Sequence, residues 1–298
     1  MLEGKVIKAA GGFFTVLDET GTEHICRARG MLKRGDSELM VGDRVLFEPF
    51  EATSGATTPV GEGIIEKLLP RTNRIHRPPV ANVDQLIVVM ALKEPECDWQ
   101  LASRMLVLAE KENLSSVICL NKIDLAENSE FDDLDNLLEF YPYPNLCTSA
   151  VSRAGLDQLE KRLSGRTSVF AGPSGAGKSS LLNAIQPGFS LQTGLISEKI
   201  KRGRHTTRQV ELLVLDNGGS VADTPGFTRL DFSDLDADQL ADYFPEFDLL
   251  RGDCGFRNCR HISEPGCAVR QAIGVSVNRM RYEHYKYFVE ELGKQEVY

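Results

Sequence analysis

The chain has 298 residues, a formal net charge of −9, 42% hydrophobic and 26% charged residues, which describes an ordinary globular protein with room for two or three compact units. No stretch approaches ~18 consecutive apolar residues, so no membrane-spanning helix is expected, and the start Met1–Ile7 lacks the pattern of a secretory signal; a cytoplasmic location follows as the expectation. An acidic whole also argues against a protein that simply coats nucleic acid.

Residues 1–70 read as short strands punctuated by glycine. Lys5–Lys8 and Phe13–Leu17 form a hairpin around Gly11-Gly12; strands at His24–Ala28, Asp43–Glu48 and Gly63–Lys67 follow, with a flexible loop at Thr53–Gly61. Five short strands in ~70 residues fit a small all-β barrel, with the OB-fold as the leading candidate. Arg71–Val80, ending in Pro78-Pro79, reads as a stiff basic connector.

Strands and helices then alternate. Gln85–Ala91 is a continuous apolar run, as a strand buried on both faces requires. Asp98 caps a helix through Asn113, and Ser116–Leu120 is the next buried strand. A helix near Asp132–Tyr141, a strand near Leu146, a helix at Leu156–Leu163 and a strand at Thr167–Ala171 come next. Val210–Leu215 and Gly219–Ala222 complete the set, a βαβ alternation that implies a mostly parallel sheet flanked by helices. Beyond about Phe227 come an acidic segment, a Cys/His cluster and a helical tail, Gln271–Leu292. Units of 1–70, 71–228 and 229–298 are expected.

The loop Gly172, Pro173, Ser174, Gly175, Ala176, Gly177, Lys178, Ser179 fits the phosphate-cradling pattern G-x-x-x-x-G-K-[ST], between a strand and a helix as its mechanism needs. Glycines let backbone N–H groups turn toward the α- and β-phosphates, and the helix start adds its positive end. Lys178 is expected at the β- and γ-phosphates, Ser179 on Mg2+, and the Ser180 N–H at the α-phosphate.

Asn121, Lys122, Ile123 and Asp124 follow a strand and form a guanine-reading set. The Asp124 carboxylate can accept from guanine N1–H and the 2-amino group, donors that adenine lacks. The Lys122 stem can cover the base and Asn121 can tie this segment to the phosphate loop. After the next strand, Ser149 and Ala150 are placed to offer the Ala150 N–H to guanine O6. Asp223 is expected to hold Mg2+ through a water and the Gly226 N–H to meet the γ-phosphate. Between these lies a basic switch loop, Gly203–Arg208, in which Thr206 or Thr207 contacts Mg2+ and the γ-phosphate. Phe227 stands where many GTPases carry a glutamine that orients the attacking water, so His205 is the candidate for that task. The base-reading segment precedes the phosphate loop, the reverse of the ordinary order, so the nucleotide domain is cyclically re-cut.

Seven cysteines divide in two. Cys26, Cys97, Cys119 and Cys147 read as small buried thiols. Cys254, Cys259, His261 and Cys267 form a normal tetrahedral set for one structural Zn2+, with hydrophilic neighbours arguing against an apolar core. Basic clusters at Arg27–Arg34, Arg71–Arg77 and Lys199–Arg208 suit a selective RNA contact.

With this order of motifs the chain resembles the RsgA/YjeQ family of circularly permuted, ribosome small subunit-dependent GTPases. The resemblance spans the chain and implies an α/β P-loop GTPase domain, permuted and with a mostly parallel sheet. It also implies an N-terminal OB-like barrel and a C-terminal zinc-binding, largely helical module. As activity it implies GTP hydrolysis to GDP, with Mg2+, in late maturation of the 30S subunit. Stimulation by that subunit, 16S rRNA as partner, no membrane contact and a monomeric state are further expectations. Two other readings stand beside it: an RNA-binding module with nucleotide as structural ligand, and an ATP-using enzyme, which Asp124 disfavours.

Overall fold

Gly11 and Gly12 adopt φ of 58° and 83°, the left-handed pair that a two-residue hairpin turn demands. They join β1 (Leu2–Ala10) to β2 (Phe13–Asp18) in the computed structural model, which describes residues 1–33, 38–50, 61–76, 79–127, 134–189, 191, 211–223, 232 and 235–295. Strands β3 (Glu23–Ala28), β4 (Arg44–Phe50) and β5 (Gly61–Leu68) follow. Along β3, His24, Cys26 and Ala28 are buried while Glu23, Ile25 and Arg27 face out, the period of two that a half-buried strand requires. The order β1-β2-β3-β5-β4 closes through β1–β4 pairing, and β3 and β5 run parallel. This is the expected OB-like barrel, cored by Val6, Val16, Cys26, Val45, Phe47 and Ile65.

The connector differs from its expectation. It folds into a small hairpin, β6 (Arg74–His76) against β7 (Pro79–Ala81). Arg71 does not face solvent: its Nε and Nη2 hold Asp43 Oδ1 and Oδ2 at 2.6 and 2.8 Å, with the Asp43 side chain fully buried. Asn82 accepts from Thr72 N–H at 2.9 Å and donates to Gly42 O at 2.9 Å, so the connector is folded onto the barrel. Arg71 is therefore committed internally rather than offered to RNA. Arg34 and Arg77 of the basic clusters, and most of the 53–61 loop, lie outside the described residues.

Strand β8 (Gln85–Ala91) is buried at every position, consistent with its unbroken apolar run. Asp98 accepts from Leu101 N–H at 2.9 Å and starts α1 (Trp99–Lys111). Then come β9 (Ser115–Asn121), a helical stretch at 134–138, β10 (Asn145–Cys147), α2 (Leu156–Leu163) and β11 (Thr167–Ala171). Helix α3 (Lys178–Ile185), β12 (Glu211–Val214) and β13 (Ser220–Asp223) complete the α/β part. The sheet order is β10-β9-β8-β11-β13-β12, parallel except for β12. Alternate side chains divide between two layers: Leu86, Val88 and Met90 pack under α1, while Ile87 and Val89 pack under α2 and α3.

From β8 the chain winds outward to β9 and β10, then returns to β11 on the other side of β8. The reversal opens a crevice at the carboxyl ends of β8 and β11, where open α/β sheets bind ligands. Strand β12 also pairs antiparallel with β1, Lys8 opposite Glu211, so barrel and α/β sheet form one eleven-stranded sheet.

The expected single helical tail is broken into α4 (Ala268–Gln271) and α5 (Arg279–Gln295). Gly274, at φ 76°, takes a left-handed turn, and Asn278 Oδ1 accepts from Arg281 N–H at 3.0 Å to cap the second helix. Asn278 also donates to Leu137 O and Glu139 O at 2.7 and 2.8 Å. Arg281 is fully buried, with Nε 2.5 Å from Glu246 Oε1 and its guanidinium over Phe244 at 4.6 Å and Tyr143 at 5.0 Å. Arg104 of α1 pairs with Glu291 of α5. The C-terminal unit is thus seated on α1 and the 134–143 segment. Cys26 and Cys119 are buried as expected, but Cys97 and Cys147 are only partly so. Among the described residues no helix is long and apolar enough to cross a membrane.

Candidate nucleotide-binding site

Every parallel strand of the α/β sheet delivers a segment to one edge. β11 ends at Ala171 and runs into the phosphate loop; β9 ends at Asn121; β10 leads to Ser149 and Ala150; the Asp223 backbone closes β13. The loop passes through Gly172, Gly175 and Gly177 at φ of 146°, 84° and 92°. Space as well as torsion requires glycine here. A Cβ at Gly172 would stand 2.0 Å from Val89 O, and one at Gly177 would stand 2.2 Å from Asn121 Nδ2. Gly177→Ala should therefore push the loop off Asn121 and weaken nucleotide binding about tenfold or more, read by titration with a fluorescent GDP analogue; an unchanged Kd would show that the close approach is unimportant.

Asn121 is 1% exposed and donates from Nδ2 to Ala176 O at 2.9 Å, which fastens the 121–124 segment to the phosphate loop. Lys122 sits at φ 63°, a left-handed value that turns the chain away from β9, and its Nζ donates to Glu94 O. Asp124 is exposed, and its Oδ1 accepts the Ser149 hydroxyl. Ser149 Oγ itself accepts from Val151 N–H and Ser152 N–H at 3.2 and 3.0 Å, so the hydroxyl proton is committed to Asp124. Ile123 N–H meets Thr148 O at 3.3 Å, and Ala150 lies half-buried beside this segment. The segments near 124, 149 and 172–178 are brought together, although they are far apart in the chain.

Lys178 Nζ donates to Gly172 O and Pro173 O at 2.8 and 2.9 Å, which stations the ammonium within the loop's own turn. Ser179 and Ser180 occupy the first turn of α3, half-buried, with Gly177 as the helix N-cap. Such a concentration of N–H donors, an ammonium and a helix start suits an anion of phosphate size. The switch segment with His205, Thr206 and Thr207 lies outside the described residues, as do Gly226 and Phe227.

Ser149 was expected in the site, but two contacts escaped the sequence reading. The Ser149 hydroxyl orients the Asp124 carboxylate, and the Glu94 carbonyl holds the Lys122 ammonium. The first had a signal, a hydroxyl beside Ala150 one strand away from an acid. The second had none, since any residue supplies a carbonyl.

The Cys254, Cys259, His261 and Cys267 ligand atoms lie within 4.8 Å of one another. His261 Nδ1 is 3.6 Å from Cys254 Sγ and 3.4 Å from Cys267 Sγ. A tetrahedral zinc site with Zn–S of ~2.3 Å has edges of ~3.8 Å, so the set fits with small adjustments. Burial pushes the Cys259 thiol up to about 12, helped by the adjoining Cys267 and Cys254, and burial also lowers His261. A neutral imidazole is ready to ligate, and a dication would reverse the penalty on the thiolates. His261 and Cys267 are buried, and Phe247 stacks edge-on to His261 at 5.6 Å. Asp253, Arg257, Asn258 and Arg260 are exposed, while the ligands adjoin an aromatic core, contrary to the expectation from composition.

The sequence profile described as RsgA GTPase matches residues 68–233, and that of the RsgA N-terminal domain matches residues 3–57. The small ribosomal subunit biogenesis GTPase RsgA of Moorella thermoacetica is 46% identical over 296 residues, 99% of each chain. That of Geobacillus kaustophilus is 44% identical, again over 99% of each chain. Among solved structures, YjeQ from Thermotoga maritima superposes with a TM-score of 0.82, 38% identity and 98% of both chains covered. YloQ, described as a circularly permuted GTPase, gives 0.80 and 36% identity, covering 99% of this chain and 96% of its own.

Proposed function

This chain belongs to the RsgA family of GTPases, and from that premise we propose that it hydrolyses GTP to GDP and phosphate in late maturation of the small ribosomal subunit. The observation that carries the nucleotide part is the bond from Asn121 to Ala176, which makes the base-reading segment and the phosphate loop walls of one crevice.

In that crevice the phosphate loop from Gly172 to Lys178 wraps the phosphates, with Lys178 turning from its own carbonyls to the β- and γ-oxygens. The Ser180 N–H serves the α-phosphate. Ser179 and Asp223 would hold Mg2+, which would neutralise charge developing on the phosphates. Asp124 reads guanine, Lys122 covers the base face and the Ala150 N–H meets O6. Thr206 or Thr207 and the Gly226 N–H sense the γ-phosphate, and His205 orients the attacking water in place of the glutamine that Phe227 replaces. Cys254, Cys259, His261 and Cys267 hold one structural Zn2+. The three units, 1–70, 71–228 and 229–298, act in the cytoplasm as a monomer, with the outer two contacting 16S rRNA.

GTP turnover measured with and without purified small subunits tests this reading. A rise of at least tenfold with subunits, and none with ATP as substrate, is the expected result. Equal rates in both conditions would remove the ribosome from the proposal, and equal use of ATP would remove the guanine pocket.

A further inference from the structure

Strand β1 is where the barrel meets the α/β sheet, and it touches the three strands that flank the phosphate-side segments. Ile7, 6% exposed, joins the apolar cluster of Val169, Leu212 and Ala222 on β11, β12 and β13. Lys8 pairs with Glu211 of β12, but these side chains are 41% and 48% exposed, so water screens the pair. Lys5 differs. Its Nζ donates to Thr167 Oγ1 at 2.5 Å and Ser220 Oγ at 2.9 Å. Thr167 and Ser220 are directly paired across β11 and β13, and they are 4% and 5% exposed.

Asp84, whose carboxylate accepts Thr167 N–H at 2.7 Å, supplies the negative charge nearby. Burial depresses the Lys5 ammonium, and Asp84 opposes that shift. An apolar residue in such a place would pack without that desolvation cost. The nucleotide crevice lies at the opposite ends of β11 and β13, so nucleotide contact does not account for the lysine. Its amine bridges the starts of the two strands whose far ends carry the phosphate loop and Asp223.

We propose that Lys5 is a positioning residue for hydrolysis, through which the pose of the barrel on a bound subunit sets the placement of β11 against β13. It acts through Thr167 and Ser220 rather than on the nucleotide. Moving β1 along the sheet withdraws the ammonium from one hydroxyl or the other, and the offset passes along two rigid strands to the phosphate loop and Asp223. The inference rests on the subunit-dependent activity proposed above.

Lys5→Met keeps the stem and removes the donor; the double variant Thr167→Val with Ser220→Ala removes both acceptors instead. Each should lower subunit-stimulated kcat about tenfold, with GTP KM and subunit-free turnover within about twofold of the parent. The triple variant should be no worse than either, since all three changes break one contact. A parent enzyme without stimulation would overturn the activity reading. A stimulated parent with an unchanged Lys5→Met variant, or one losing free and stimulated turnover by the same factor, would overturn the role of Lys5. If Lys5→Met does not fold, the double variant decides by the same two rates.

Discussion

Asp124→Asn should weaken GTP binding by about a hundredfold or more and transfer preference to xanthosine triphosphate. Ionised aspartate offers acceptors only, matching guanine N1–H and the 2-amino group. Asparagine keeps one acceptor and substitutes an NH2 for the other, so two donors then face each other across a desolvated gap. Xanthine carries a carbonyl at that position, and the new donor suits it. Each misplaced donor costs ~1–3 kcal/mol when water is excluded, which sets the scale of the loss. Ser149 sharpens the expectation, because its hydroxyl proton already occupies Asp124 Oδ1 and fixes the carboxylate in plane. Calorimetric titration of the two triphosphates against parent and variant reads the switch. Unaltered selectivity would mean that Asp124 does not face the base.

Cys259→Ser should abolish the proposed zinc binding and dissolve the packing of the C-terminal unit. The metal loop has little core of its own; α5 holds it through Tyr282 Oη to His261 O at 2.7 Å and Tyr285 Oη to Arg260 O at 2.6 Å. Structural zinc contributes ~10 kcal/mol or more to the folding of small metal-bound units, comparable with the whole stability of an ordinary domain. Losing it frees His261, then the two tyrosine bonds, then the face shared by Phe244, Phe247 and Tyr285. Metal analysis should fall from one zinc per chain to none, and near-ultraviolet dichroism from the tyrosines should collapse. The Arg281–Glu246 pair sits deeper, between this unit and the α/β layer, so the main sheet should keep its melting transition. A metal-free parent protein with unchanged dichroism would refute the structural role.

Much of this was readable from residues alone because the features are local. An apolar run such as Gln85–Ala91 has one stable environment, and Asp98 caps a helix wherever the chain goes afterwards. The phosphate loop and the 121–124 segment announce themselves because their backbones admit few substitutes. Features set by distant partners were hidden. Nothing near Arg71 says that Asp43 will claim it, so a folded hairpin read as a basic connector. The break between α4 and α5 depended on Gly274 adopting a left-handed turn and on Asn278 reaching across to the 137–139 carbonyls. At Lys5, only the docking of the barrel brings the amine onto Thr167 and Ser220.

Strand β12 is paired along its length with β13 on one side and meets β1 at the Lys8–Glu211 pair on the other, so the barrel is fastened to the strand that follows the switch loop at one register position. The barrel closes upon itself, which leaves three-residue β10 as the free margin of the large sheet among the described strands. A margin of three residues offers little room for strand addition or edge-to-edge self-association.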